Sequence, residues 1–400
     1  MKKNLMIFAA STMLLFAACN KEEVSGNGYT INGNKITFGM GMQSSDDKQG
    51  FHGSQKKVFF SSTDQIYVNG LQYDVDPVAD PDVPGTNDNY SSQARVTSDL
   101  ATDGRYEFMY PCHTLQHSGS DYTATFPANV QALDGNINNM MDPSIIAPGR
   151  HESVPIIPMY FVIPNIDQFQ GNVVLKNTVA FLAPNILYGD LWANKVFKPL
   201  TDITYDAQQQ IARPIIHLLD GRIKANFRLT GAATLVADEH DPIMVYDNPL
   251  GSDEWDVVSF RFPNGAQLDA GQENYKLAGM IPIAPVINPE NGPAPERKMR
   301  IAFTMTVQLP SATSANLETY YMCYMSEVST LRNGTELLRN TRNDLRVNFN
   351  ENRCTYTDGL DNYTTNRGGE IVFQGGNKLF ISNSQSAINT WMQNNIDPNF

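Results

Sequence analysis

The segment Arg300–Leu309 has the sequence RIAFTMTVQL and decides the fold class. Apolar residues occupy every second position from Ile301 to Leu309, while polar or small residues fill the positions between them. Alternate side chains of a strand point to opposite faces, so this period of two gathers the apolar side chains on one face. The segment therefore predicts an antiparallel strand that is half buried.

The same alternation recurs along the chain. It is clear in Arg222–Thr230, which reads RIKANFRLT, and in Leu345–Phe349, which reads LRVNF. Turn-forming residues are frequent between such stretches, because the chain has 28 glycines and 23 prolines. Many short strands separated by turns predict an all-β protein built from β-sandwiches.

A helical pattern is found mainly in the C-terminal tail. Ser386–Ile396 groups its apolar side chains on one helical face. Before it, Glu370–Phe373 and Lys378–Ile381 are strand-like and flank Gly375-Gly376, which predicts a hairpin. We therefore expect a short C-terminal extension, residues 357–400, made of a hairpin and a helix.

The N-terminus predicts export. Two lysines precede an apolar stretch, Leu5–Phe16, and two alanines then lead to Cys19. The stretch is too short to span a bilayer as a stable helix, so residues 1–18 are interpreted as a signal peptide that is removed. Small residues before a cysteine resemble a bacterial lipoprotein signal, in which that cysteine is acylated. Cys19 is therefore the predicted lipidation site.

The residues after Cys19 add to this prediction. Asn20–Glu23 resembles the acidic signal that sends some Bacteroidetes lipoproteins to the outer face of the outer membrane. Residues 19–35 are rich in glycine, asparagine and glutamate, as expected for a tether. We expect a cell-surface lipoprotein that is held in the outer membrane by the lipid on Cys19.

Composition narrows the classes of partner. The chain has 42 acidic and 29 basic residues, a formal net charge of −13 at pH 7. Phosphate binding needs clustered Lys and Arg, so nucleic acid is not an expected partner. About 380 residues remain without the signal, which suits two domains of typical size.

Cysteine is sparse. With Cys19 assigned to lipid, Cys112, Cys323 and Cys354 remain, and no CxxC pair occurs. Cys323 and Cys354 flank consecutive strand-like segments and could pair in an oxidising compartment. Buried free thiols are the alternative.

Motifs for catalysis are missing from the sequence. There is no GxSxG, HExxH or GxxxxGK[ST] pattern. His113 and His117 have i, i+4 spacing next to Cys112, but the surrounding proline and glycine indicate a loop. The acidic stretch Asp74–Asp88 lacks the glutamate that closes an EF-hand, which leaves a solvated loop or an irregular calcium site. We expect no enzyme, no cofactor and no assigned metal site.

Two tryptophans are candidates for stacking on a sugar. Trp192 and Trp255 lie near glycine, aspartate and asparagine, as in exposed loops. The alternative is that both belong to an ordinary sandwich core. These residues support a second hypothesis, a non-polymerising surface lipoprotein that binds glycan.

Six segments follow one another between Val58 and Phe349. They are Val58–Gly70 (VFFSSTDQIYVNG), Tyr110-Pro111, Thr125–Gln131 (TFPANVQ), Asn138–Pro148 (NNMMDPSIIAP), Val173–Leu182 (VVLKNTVAFL) and Leu337–Phe349 (LLRNTRNDLRVNF). In order and spacing they resemble the fimbrillin family, the subunits of Bacteroidetes type V pili and related cell-adhesion lipoproteins. The resemblance implies two transthyretin-like β-sandwich domains in tandem, which we place at residues 36–168 and 169–356.

The resemblance also implies a function without catalysis. Family pilins travel as lipoproteins, and a protease then removes an N-terminal segment that holds the first strand. The empty groove accepts a strand from a neighbouring subunit, so main-chain hydrogen bonds and alternate side chains build a fibre. The expected partners are other pilus subunits and a ligand on a host or bacterial surface.

The cleavage step is where this chain departs from the family. In the best-known members, maturation resembles cleavage after an arginine. This chain has no arginine between Cys19 and Gln93. Lys48 and Lys57 are the candidate sites of proteolytic maturation. The missing arginine favours a lasting lipid anchor on Cys19 over a temporary one. We expect a structural or accessory subunit of a pilus, at its anchor or its tip, that acts in cell adhesion.

Overall fold

The computed structural model of the protein describes a set of ranges that together cover most of the chain. They are residues 28–42, 60–79, 88–134, 157–187, 215–251, 253–261, 267–268, 276–289, 293, 295–310, 317–331, 336–348, 356–358, 369–373 and 376–398. Within them the protein is all-β apart from short helical segments, as the alternating segments predict.

The strands are numbered here in chain order. The first fourteen are β1 (Tyr29–Asn32), β2 (Lys35–Met42), β3 (Phe60–Ser61), β4 (Gln65–Val68), β5 (Leu71–Val78), β6 (Tyr90–Ser91), β7 (Gln93–Asp99), β8 (Tyr106–Tyr110), β9 (Leu115–Ser118), β10 (Asp121–Phe126), β11 (Asn129–Gln131), β12 (Leu133–Asp134), β13 (Met159–Ile163) and β14 (Val173–Asn177). Two 3₁₀ turns, Cys112–Thr114 and Ile166–Gln168, lie among them.

The second half of the chain adds fourteen more strands within the described ranges. They are β15 (Ala180–Leu187), β16 (Ile215–Ala225), β17 (Gly231–Val236), β18 (Ile243–Tyr246), β19 (Asp256–Arg261), β20 (Gln267–Leu268), β21 (Lys276–Ile283), β22 (Lys298–Pro310), β23 (Leu317–Met325), β24 (Ser329–Thr330), β25 (Arg342–Asn348), β26 (Tyr356–Asp358), β27 (Gly369–Phe373) and β28 (Lys378–Ser382). Helix α1 (Gln385–Asn395) follows.

Seven strands close into a ring, which we call the barrel. Their order is β2-β14-β13-β8-β4-β5-β7, and β7 pairs back to β2. β1 adds to β2 as a hairpin through a turn at Gly33. Because the ring is closed, every strand in it has a neighbour on both sides.

The remaining strands form three larger units and one small pair. A ten-stranded sheet has the order β11-β19-β16-β22-β23-β28-β27-β26, with β20 beside β16 and β24 beside β22. A four-stranded sheet, β12-β21-β15-β25, is called the wall. Another four-stranded sheet has the order β18-β17-β10-β9, and β3 pairs with β6.

The wall separates two hydrophobic cores. Ala180 and Leu182 of β15 belong to the core beneath the ten-stranded sheet, while Phe181 and Ala183 belong to the core that contains the barrel interior. The neighbouring strand β21 divides its side chains in the same way. A strand buried on both faces is expected to be continuously apolar, which explains the run at 179–183.

Strands from each half of the chain complete sheets of the other half. β17 and β18 extend the sheet of β9 and β10. In return, β11 pairs parallel with β19, and β12 pairs antiparallel with β21. The segment that holds β11 and β12 therefore bonds to the ten-stranded sheet and to the wall, the two sheets that enclose the core beneath the ten-stranded sheet.

The expected domain limits meet this pairing pattern at two places. The boundary between residues 168 and 169 is crossed, because β14 lies after it and pairs with β2 and β13 in the barrel. The tandem transthyretin-like division therefore stays a prediction. The expected tether, residues 19–35, overlaps a strand. Tyr29–Asn32 is β1, and its Tyr29 ring packs near Phe38.

The strand expected at Arg300–Leu309 is present as part of β22, but its outer face is more buried than expected. Its inner side chains fill the core beneath the ten-stranded sheet, as predicted. On the outer face Ala302 is also buried, because α1 covers it together with Cys323 and Met325. The expectation of a fully solvated face was wrong at Ala302, because a helix much later in the chain lies over it, whereas Arg300 on the same face stays partly exposed.

Two other segments differ from a single antiparallel strand. Val173–Leu182 holds β14 and the start of β15, which lie in different sheets. The segment Leu345–Phe349 was expected to be antiparallel, yet its strand β25 pairs parallel with β15. The strand predicted at Arg222–Thr230 ends at Ala225, although its alternating burial continues.

The predicted C-terminal hairpin and helix are confirmed. β27 and β28 pair antiparallel, and α1 buries Ile388, Trp391 and Met392. The extension is not a separate appendage, because β28 also pairs with β23 and continues the ten-stranded sheet.

Candidate strand-exchange site

Strand β2 closes the barrel and is bonded along both edges. On one edge, Lys35–Gly41 pairs antiparallel with Gln93–Asp99 of β7. On the other, Met40–Met42 pairs parallel with Val173–Leu175 of β14, and the earlier residues pair with β1. If β2 left the ring, the gap would be bounded by the unpaired edges of β7 and β14. Such a gap is the kind of site to which a strand adds.

Three inward side chains of β2 anchor it in the barrel core. Ile36, Phe38 and Met40 are all buried. The Phe38 ring meets Tyr106 and Phe108 edge-on, with centroid separations of 4.9 and 5.0 Å. Burial of each such side chain contributes about 1.5–3 kcal/mol. Alternate side chains that fill alternate pockets are what give strand addition its specificity.

The outer face of β2 carries polar contacts that fix its register. Lys35 Nζ donates to Asp99 Oδ1 at 2.6 Å, and the hydroxyls of Thr37 and Thr97 are 2.8 Å apart. The hydrogen bonds from Lys35 and then from Tyr73 hold the pKa of Asp99 below its ordinary value. These groups are exposed and screened by salt, so they favour one alignment of β2 more than they stabilise the fold.

The chain enters the barrel at a tight contact between two glycines. Gly28 has a φ of 77°, and a Cβ placed on it would lie 1.5 Å from the Gly171 carbonyl oxygen. The Gly28 carbonyl accepts a hydrogen bond from Gly39 N–H at 2.9 Å. Glycine is required at this point because any other side chain would collide with backbone.

Four of the predicted site residues lie outside the described residues. They are Cys19, Lys48, Lys57 and Trp192. In the sequence, β2 ends at Met42, before Lys48, and β3 begins at Phe60, after Lys57. A cut after either lysine would therefore separate β1 and β2 covalently from every later strand.

The C-terminal hairpin lies within the ten-stranded sheet. β28 pairs with β23 on one side and β27 on the other, and its Leu379 and Ile381 are fully buried. On the opposite face, Phe380 stacks on Trp391 of α1 with a centroid separation of 5.7 Å. Trp391 Nε1 donates to Glu370 Oε2 at 2.7 Å. These contacts hold the tail in its own sheet.

Trp255 is the one predicted stacking residue that the structure describes. It lies just before β19 and is 38% exposed, so the expected alternative of a core position does not hold for it. The Nζ of Lys224 lies 5.9 Å from the centre of its ring. An exposed indole with a cation beside it is suited to contact with a ligand.

The described cysteines are buried thiols. Cys112 and Cys323 are free, and Cys354 lies outside the described residues. Burial raises the pKa of Cys112 to about 12 and that of Cys323 well above its ordinary value. Both thiols are therefore protonated and unreactive at neutral pH.

The stretches considered for metal do not form a ligand cluster in the described residues. No group of three or more His, Cys, Asp or Glu side chains suited to a metal occurs there. His117 instead packs beside Tyr122 with a centroid separation of 4.6 Å, and Asp74 and Asp76 lie on β5. Part of the acidic stretch, residues 80–87, lies outside the described residues.

The sequence interpretation missed the anchors of β2. The stretch Lys35–Met42, which reads KITFGMGM, alternates the inward Ile36, Phe38 and Met40 with lysine, threonine and glycine. Its period of two was the signal that could have located it.

Within the described residues no helix is long and apolar enough to cross a membrane.

Two solved structures are among those to which this chain is similar. A proposed cell adhesion protein from Bacteroides uniformis is 13% identical, with a TM-score of 0.25, and the match covers 72% of this chain and 85% of that protein. A second from Bacteroides fragilis is 9% identical, with a TM-score of 0.28, and the match covers 86% of this chain and 89% of that protein. No family model and no curated protein matches this chain significantly.

At these TM-scores the two neighbours carry no argument about the function of this chain. The functional assignment therefore rests on the geometry of this chain.

Proposed function

We propose that the protein is a surface-exposed lipoprotein of the fimbrillin type, an anchor or tip subunit of a pilus that is assembled by strand exchange and acts in cell adhesion. One observation carries the proposal: β2 closes the barrel through bonds on both edges and is followed in sequence by Lys48 and Lys57. A cut after either lysine would free β2 to be replaced by a strand of a neighbouring subunit.

The C-terminal extension supports a place at the end of a fibre. To donate its tail, the subunit would have to extract β28 from between two strands and expose Leu379 and Ile381. It would also lose the packing of Phe380 against Trp391. A tail held in this way favours a subunit that accepts a strand without donating one.

The proposed location follows from the N-terminal signal. Lipid on Cys19 would hold the protein at the outer membrane, facing outward. An uncut subunit that keeps this lipid would form the membrane end of a fibre with its own β2 in place, whereas a subunit cut after Lys48 or Lys57 would lose the lipid, open its barrel and fit the tip. The proposed role is structural, with pilus subunits and a surface ligand as partners and no catalysis.

Mass spectrometry of the mature N-terminus tests this proposal on protein isolated from native surface material. A new N-terminus between Met42 and Phe60, together with ladders on gels run without boiling, would support strand exchange. Substitution of both Lys48 and Lys57 by Gln should abolish the ladder, while Lys298→Gln in β22 should not. Strictly monomeric protein with uncut β2 in cells that make pili would contradict it.

A second candidate function is a non-polymerising surface lipoprotein that binds glycan. The exposure of Trp255 beside Lys224 favours it. A glycan array would test it, with Trp255→Ala and Trp192→Ala as the variants. Loss of array binding in either variant, with monomeric protein on the cell, would favour this function over the pilus role.

A further inference from the structure

Three cations lie side by side on the outer face of the ten-stranded sheet. Arg222 and Lys224 occupy alternate positions of β16, so they share a face. Lys224 is paired with Arg300 on the neighbouring strand β22. This concentration of positive charge stands out in a chain whose net charge is −13.

Few negative groups balance these cations. Arg222 Nε lies 3.4 Å from Asp397 Oδ2, and both side chains are nearly buried. Lys224 Nζ donates to the Ile396 carbonyl at 3.1 Å, at the end of α1 where the helix dipole is negative. Arg300 contacts Met325 Sδ at 3.2 Å. Among the described residues, the ion pairs include no carboxylate partner for Lys224 or Arg300.

The electrostatics of Lys224 agree with this imbalance. Burial lowers the pKa of Lys224, the charge of Arg300 lowers it further, and Asp397 opposes the change. Lys224 and Arg300 are both partly exposed, so a ligand can reach them. An anion placed between them would relieve their mutual repulsion.

Trp255 provides an apolar surface at the edge of this charge. Val257 of β19 is paired with Lys224, and Trp255 immediately precedes β19, so the indole lies beside the outward side chain of Lys224. The Lys224 ammonium is 5.9 Å from the ring centre. The exposed indole therefore offers a stacking surface directly beside the Lys224 charge, and Arg300 supplies a second charge on the strand beyond Lys224.

We propose that Lys224, Arg300 and Trp255 form a binding site for a sugar that carries a carboxylate, such as a uronic acid residue. The apolar C–H face of the sugar lies against the indole, and the carboxylate accepts hydrogen bonds from the ammonium and the guanidinium. A neutral sugar lacks the charge, and a small inorganic anion lacks the apolar face. The site is separate from β2, so it can fail without strand exchange failing, and the converse also holds.

Binding of glucuronic acid to the full chain tests the proposal, with glucose as the neutral control. Saturation-transfer NMR should detect glucuronic acid at roughly 10 mM, with glucose about tenfold weaker. Lys224→Gln and Arg300→Gln should each weaken binding about tenfold, and added salt should weaken it as well. Trp255→Ala should remove the preference for glucuronic acid over acetate.

Lys298→Gln is the matched control, because Lys298 lies two residues from Arg300 on the same strand and pairs with Glu296 at 3.0 Å. It should leave binding unchanged. Asp397→Asn removes the nearest negative charge and should strengthen binding. Equal binding of glucose and glucuronic acid, equal loss in Lys298→Gln, or no binding by the folded wild-type protein would overturn the proposal.

Discussion

Phe181 and Leu182 are neighbours in the chain, yet their side chains lie in different hydrophobic cores. Both are buried, one on each face of β15. The wall is therefore shared, and strands from each half of the chain also complete sheets of the other half. Because of this sharing, we expect the two cores to unfold in a single cooperative step.

Truncation on either face of the wall should destabilise both cores. Phe181→Ala and Leu182→Ala should each lower the free energy of unfolding by about 2–5 kcal/mol, because each leaves a cavity in close-packed surroundings. Native-state hydrogen exchange should show reduced protection in both β8 and β22 for either variant. The exposed Leu338→Ala is the control and should change stability by less than about 0.5 kcal/mol. Loss of protection in β8 alone after Phe181→Ala would contradict the shared wall.

The buried ring of Phe38 should contribute more to the stability of β2 in the barrel than the outward side chain of Thr37. Phe38→Ala should cost about 3–5 kcal/mol in unfolding free energy, since the ring lies between Tyr106 and Phe108. The outward Thr37→Ala should cost about 1 kcal/mol, because it removes one exposed hydrogen bond. Urea denaturation of both variants checks this order, and similar costs would show that β2 is not held by its inner face.

Trp391 should fasten the C-terminal extension through two separable contacts. Trp391→Phe keeps an aromatic ring against Phe380 but loses the hydrogen bond to Glu370, so it should cost about 1.5–3 kcal/mol. Trp391→Ala loses both contacts and should cost about 3–5 kcal/mol. Urea denaturation followed by circular dichroism measures both, with the exposed Trp255→Ala as the matched tryptophan control. Equal costs for the two Trp391 variants would mean that the stacking adds nothing.

Cys112 should make the fold sensitive to alkali. Burial raises its pKa from 9.0 to about 12 in the folded protein. Between these values the unfolded thiol loses its proton while the folded thiol keeps it, so this contribution is intact below pH 9 and is lost as pH rises towards 12. Cys112→Ala lacks this ionisation, so the stability gap between wild type and variant should narrow above pH 9. Urea denaturation from pH 8 to 11 checks this, and a constant gap would contradict the burial of the thiol.

Local alternation was enough to predict strands, but not what covers them. Arg300–Leu309 shows which side chains face inward, because that depends on a period of two within ten residues. It does not show that α1 covers Ala302, since the helix lies far along the chain. The parallel pairing of β25 with β15 could not be predicted either, because the alternation within a strand does not identify the strand that pairs with it.

For both candidate sites, β2 and the cluster around Lys224, the sequence indicated the types of residue involved better than it indicated which residues meet. The resemblance implied a first strand that could be exchanged, and the sequence supplied Lys48 and Lys57 as candidate cleavage sites, but neither identified β2 or its anchor Phe38. The cluster around Lys224 was visible as the polar side of RIKANFRLT and RIAFTMTVQL. The contact of Lys224 with Trp255 depends on the pairing of β16 with β19, which brings together residues more than thirty positions apart in sequence.

The sheet β9-β10-β17-β18 has a consequence for the timing of folding. A ribosome makes the barrel strands first, yet the core that contains them also needs Ala233, Leu235 and Met244 from β17 and β18. N-terminal regions generally fold first during synthesis, but here the early part stays unfinished until the later strands have emerged. For a protein with the predicted export signal, this delay would keep the chain extended while it is threaded through a membrane pore, and folding would be completed only on the far side.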